Sequence, residues 1–131
     1  MKKYILLAFV CLFCCNAAYA QDDIADTFAP ICKYMEQGEC DRLSAWFADN
    51  LELDILGAVN NCSRNQARLI MRNFFSNYTP KHLEIIHRSG KAPMKYAVGT
   101  LDAGGEKFQI IFYVKADGDK SYIEQLKISR Q

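Results

Sequence analysis

Histidine is the side chain best suited to moving protons near neutral pH, and this chain of 131 residues has two, His82 and His87. His87 follows Leu83 and Ile85 at alternate positions. A strand over 82–88 therefore turns it to the same face as those aliphatic side chains. If a strand over 94–101 pairs back around a turn at 89–93, Tyr96 comes alongside His87. Such a pair binds a polar ligand or relays a proton. The plainer alternative is a hydrogen-bonded histidine at the end of a half-buried strand.

The other reactive groups form no recognisable set. No CxxC occurs beyond residue 20, and no cysteine lies near either histidine in sequence. Neither a thioredoxin-like redox motif nor a metal site is expected. Cys40 and Cys62 both start elements where side chains can meet, so they are the disulfide pair expected if one forms, leaving Cys32 as a buried thiol. Arg64, Arg68 and Arg72 recur every four residues and share one helix face. That stripe meets phosphate or an acidic partner, or it is simply a solvated face. Gly104-Gly105 sits between strands rather than before a helix, so no phosphate loop is present. No catalytic set and no cofactor are expected.

The N-terminus supplies an address. Lys2 and Lys3 precede an apolar run from Ile5 to Cys15, and Ala18-Tyr19-Ala20 places small residues at −3 and −1. This is the pattern of a secretory signal peptide over 1–20, cut before Gln21. The run falls short of the roughly 20 residues a membrane span needs, and Phe13-Cys14 before Cys15 fits a lipobox poorly. Cleavage leaves 111 residues, one domain over 21–131, and removing two lysines takes the formal charge from +1 to −1. Such a domain is expected to be periplasmic or secreted. It has no net field for nucleic acid or an anionic membrane.

Spacing then places the elements. Ile24, Phe28, Ile31 and Met35 form a helical stripe that Asp22 or Asp23 starts and Gly38 stops. Glu39 to Asn50 reads as a second helix burying Leu43, Trp46 and Phe47. Leu51 to Ile55 alternates as a strand, and 57–61 reads as a loop. Ser63 caps a third helix whose stripe is Ala67, Ile70, Met71, Phe74 and Tyr78, ended by Pro80. Four strands follow at 82–88, 94–101, 106–115 and 121–129, joined by Gly-, Pro- and Asp-rich turns. The class is α+β, with three N-terminal helices packed on a mostly antiparallel sheet. Phe28, Ile31, Met35, Trp46, Phe47, Ile70, Phe74, Phe108, Ile110, Phe112 and Leu126 should make the core.

This order, with Gln37-Gly38, Leu43-Ser44-Ala45-Trp46-Phe47-Ala48-Asp49-Asn50 and Leu51-Glu52-Leu53, resembles the nuclear-transport-factor-2-like (cystatin-like) superfamily. Lys95 to Leu101 and Ile123 to Ile128 also resemble a small exported bacterial family of unknown function within it. The resemblance implies a curved sheet wrapped on the helices as a cone. It also raises an enzymatic comparison, the ketosteroid isomerases, which need a carboxylate base and a Tyr/Asp oxyanion hole. Aligned on Gly38 and Phe47, those positions fall on Ile55, Ile31 and Ile110 or Ile111. Isoleucine moves no proton. Relatives often dimerise through the sheet.

Strand 106–115 presents Lys107, Gln109, Ile111, Tyr113 and Lys115 away from the helices, and strand 121–129 is expected to add Ser121, Ile123, Gln125 and Lys127. Gln109, Ile111, Tyr113 and Ile123 therefore make a candidate interface with a polar rim. The specific function stays unknown. The expectation is a non-catalytic exported binding or association module, its partner a second copy, a periplasmic protein or a small apolar ligand. The alternative is an isomerase- or dehydratase-like enzyme with a nonstandard pocket around His87.

Overall fold

The computed structural model describes residues 28–131. The signal segment over 1–20, the cut before Gln21, Ile24 and the Asp22/Asp23 cap lie outside the described residues. Ile31–Gln131 forms one compact unit; of the other, Met1–Pro30, only 28–30 are described.

The element order is α1 (Ala29–Gln37), α2 (Cys40–Ser44), β1 (Phe47–Ile55), β2 (Ala58–Ser63), α3 (Arg64–Asn77), β3 (Pro80–Lys91), β4 (Met94–Ala103), β5 (Glu106–Asp117) and β6 (Lys120–Arg130). The strands make one curved six-stranded sheet in the order β2-β1-β6-β5-β4-β3. All neighbours are antiparallel except β1 and β6. The fold is α+β, as the spacing indicates.

Two expectations about elements change. The second helix stops at Ser44. Leu43, Trp46 and Phe47 have helical spacing, but the Trp46 carbonyl accepts the Ile123 N–H and Phe47 pairs with Ile123 in the parallel ladder. Tertiary pairing overrides a local pattern here. Residues 58–61 of the expected loop instead belong to β2, which is joined to β1 by the two-residue turn Leu56-Gly57. Both turn residues have positive φ, 54° and 90°, which is the backbone that matches the twist of a tight hairpin. Asp54 Oδ1 accepts the Gly57 N–H at 3.1 Å and holds the turn.

Ser63 caps α3 as expected. Its Oγ accepts the Gln66 N–H at 3.2 Å, and Gln66 Oε1 accepts the Ser63 N–H at 3.1 Å, a reciprocal capping box. The arginine stripe is engaged in ion pairs. Arg68 and Arg72 both reach Asp41 at 2.9 Å, tying α3 to α2, and Arg64 reaches Asp49 at 3.0 Å. The Arg68 hydrogen bond, helped by Arg72, holds the Asp41 carboxyl below its ordinary range.

The face of the sheet toward the helices is aliphatic and aromatic. Leu53, Leu101, Phe108, Ile110, Phe112, Ile123, Leu126 and Ile128 are fully buried there, with Ile31, Met35, Leu43, Phe47 and Met71. Phe28 and Phe74 are buried too. Trp46 and Ile70, placed in the core from sequence, are only half-buried. Ile70 lines open grooves beside β2 with Asn60. Ser44 is the sole buried polar side chain among the described residues, and its hydroxyl donates to the Asp41 carbonyl.

Candidate functional site

The β3–β4 ladder pairs Ile85 with Gly99 and then His87 with Val98, so Ile86 is an extra residue. Adjacent β4 residues face opposite ways. Ile85 therefore faces the interior with Gly99, while His87 faces outward with Val98. A strand without the bulge would send both inward, as the alternation of Leu83, Ile85 and His87 suggested. The bulge reverses that expectation and leaves Ile86 58% exposed. Gly99 permits the close approach: a Cβ there would lie 2.8 Å from the Glu84 carbonyl oxygen.

The expected neighbour of His87 is present, on the outer face. The His87 and Tyr96 rings lie 5.9 Å apart, and Tyr96 and Tyr113 lie 5.5 Å apart. Register places Ile111 beside Val98 and Gln109 beside Thr100. Across the other edge of β5, Tyr113 faces Gln125 and Ile111 faces Lys127. The centre of the outer face is thus His87, Tyr96, Val98, Ile111 and Tyr113. Gln109, Gln125, Lys107, Lys127 and Lys115 surround it. The His87–Tyr96 approach is a ring contact, with no direct hydrogen bond between the two side chains among the described residues.

Ile123 does not belong to this face. β6 carries its own bulge: Tyr113 pairs with Gln125, and Val114 with Ile123, so Glu124 is the additional residue. Ile123 is turned inward beside Val114 and is 0% exposed. Gln109, Ile111 and Tyr113 keep the outer positions that alternation predicts. A lone bulge has no composition signature, so sequence periodicity missed both shifts.

The three cysteines among the described residues are free thiols, and Cys40 and Cys62 are not bridged. Cys62 lies on β2 opposite Leu51, and its Sγ donates to the Leu51 carbonyl at 3.8 Å. Cys40 opens α2 and is buried. Burial raises all three thiols, Cys32 to about 11. Among the described residues no group of three or more His, Cys, Asp or Glu side chains could hold a metal ion. None of their helices is long and apolar enough to cross a membrane.

Comparison with known proteins places this geometry. The family profile described as "Domain of unknown function (DUF4783)" matches residues 28–129. No curated protein matches the chain. A solved DUF4783 family protein from Bacteroides uniformis superposes with a TM-score of 0.75 at 18% identity, covering 79% of this chain and 95% of that one. A Nostoc punctiforme domain of unknown function with a cystatin-like fold gives a TM-score of 0.65 at 10% identity, covering 85% and 76%. A nuclear-transport-factor-2-like protein of unknown function from Cytophaga hutchinsonii gives 0.60 at 7% identity, covering 81% and 88%. At these identities the structural likeness shows the fold alone. With the profile spanning most of the chain, this protein belongs to the DUF4783 family of domains of unknown function, within the nuclear-transport-factor-2-like, cystatin-like fold.

Proposed function

We propose that this protein is an exported, non-catalytic association module that works through the outer face of its sheet. The observation that carries the reading is the patch made by Tyr96, Val98, Ile111 and Tyr113 on one solvent-facing surface, with lysines and glutamines around it. An apolar and aromatic centre with a polar rim is the anatomy of a protein interface. A second copy of the chain is the first partner to test; another exported protein is the alternative.

The remaining parts of the reading fit together. Residues 1–20 act as the signal peptide, and the domain over 21–131 works in the periplasm or outside the cell. The helices and curved sheet form a cone, and the interior side chains fill it. Ile55, Ile31 and Ile110 supply none of the acid–base groups an isomerase needs. His87, the acid–base group of the enzymatic alternative, faces away from the interior.

Sedimentation of the mature, exported protein tests the proposal. Association that strengthens with concentration and is abolished by Ile111→Lys or Tyr113→Glu is the expected result. A wild-type monomer at every accessible concentration, with no exported protein bound to this face, would reject it.

A further inference from the structure

β1 and β6 part company at one end of the sheet. Between the paired positions Phe47–Ile123 and Glu52–Gln125, β1 advances five residues while β6 advances two. The strands must separate there, and the opening is a cleft of about 520 Å³. That volume lies within the range of small-molecule sites. Bulges are over-represented beside such sites because they open a sheet and re-aim side chains. Lys115 and Tyr122 belong both to the cleft and to the outer face, so the two adjoin.

The lining carries charges of both signs. Arg64 is anchored: its Nε donates to the Phe47 carbonyl at 3.1 Å and its Nη2 lies 3.0 Å from Asp49. A guanidinium has five N–H donors, so others stay available to a ligand. Lys115, Asp117 and Glu124 line the same cleft, and none of the three is in an ion pair among the described residues. A simple anion entering here would meet two carboxylates without partners. A simple cation would meet Lys115. A ligand that carries both charges meets an opposite charge at Lys115 and at the two remaining carboxylates, while Arg64 already shares its charge with Asp49.

We propose that this cleft binds a small zwitterion, a free amino acid or a dipeptide. Its carboxylate lies toward Arg64 and Lys115, its ammonium toward Asp117 and Glu124, with the Tyr122 hydroxyl as a neutral hydrogen-bonding group. The inference stands apart from association through the outer face. Solvent screens exposed charge pairs, so affinity falls in the range of about 0.1–10 mM and weakens with added salt.

The test is an amide-resolved NMR titration of the mature protein, kept dilute, with L-alanyl-L-alanine. The controls are its N-acetylated form, its C-amidated form and the doubly blocked form. Saturable shifts at Asn50, Lys115 and Glu124 are expected with the free dipeptide. Each blocked form should bind at least about tenfold more weakly. The double variant Asp117→Asn/Glu124→Gln, at one exposed and one half-buried site, should lose at least about tenfold while keeping the wild-type spectrum elsewhere. No saturable shift up to about 50 mM, equal binding of the doubly blocked form, or shifts centred on His87 and Val98 would each overturn the proposal. Concentration-dependent association without the dipeptide reports on the outer face alone, so the two readings fail separately.

Discussion

Ile85 and His87 are two positions apart on one strand yet face opposite sides of the sheet. Ile85 pairs with Gly99 and His87 with its neighbour Val98, because Ile86 bulges between them. One inserted residue decides whether the only histidine near a tyrosine row enters the interior or joins an external surface. Gly99 lies opposite that bulge, where a Cβ would press on the Glu84 carbonyl and the Leu83 and Ile85 side chains. Gly99→Ala should therefore destabilise the fold by about 1–3 kcal/mol, as overpacking does. Urea unfolding checks this; an unchanged midpoint would mean that β3 yields freely.

Phe47 bears on the fold itself. It starts β1, pairs with Ile123 and is 0% exposed. Phe47→Ala should cost about 3–5 kcal/mol, and Trp46→Ala, at a half-buried site, distinctly less. Denaturant unfolding of the two variants side by side gives the comparison.

The cysteines make a pH prediction. Burial lifts the Cys32 thiol from an ordinary 9.0 to about 11. The unfolded chain therefore releases this proton first. The stability contribution is fully present below pH 9 and declines as pH rises toward 11. Cys32→Ala should flatten that part of the stability profile. Thiol counting on exported, unreduced protein should find Cys32, Cys40 and Cys62 all free.

Much of this architecture is legible in the sequence, and the exceptions have local causes. Ser63 and Pro80 mark the limits of α3, and the Gly104-Gly105 and Gly118-Asp119 turns mark the ends of the long strands. β2 was hidden because Leu56 occupies a positive-φ turn position that usually takes Asn, Asp or Gly. The helix drawn through Trp46 was cut short by pairing with a strand more than seventy residues later. The outer-face positions Gln109, Ile111 and Tyr113 follow from alternation along regular β5. Ile123 and His87 do not, because a bulge separates each from the rest of its strand's regular alternation: Ile86 just before His87, and Glu124 just after Ile123. The cleft between β1 and β6 was invisible for the same reason, since it exists only where two registers diverge.

Asp41 makes the acid-side prediction. Arg68 and Arg72 hold its carboxyl below the ordinary 3.8. Its contribution is present above that value and is lost as pH falls through the depressed one. Asp41→Asn should remove this part of the acid sensitivity. Acid titrations of wild type and variant, followed by circular dichroism, would show the difference; parallel curves would mean that the pairs do not couple to folding.

Tyrosine accessibility reads directly whether the outer face of the sheet is an interface. Chemical labelling of Tyr96 and Tyr113 in the mature protein, measured from dilute to concentrated solution, reads that face alone. Tyr78, whose hydroxyl is held by Arg130 at 2.9 Å on the other side of the domain, serves as the internal reference. An interface protects Tyr96 and Tyr113 together as concentration rises while Tyr78 does not change. Equal labelling of all three at every concentration, with sedimentation giving a monomer throughout, would contradict it.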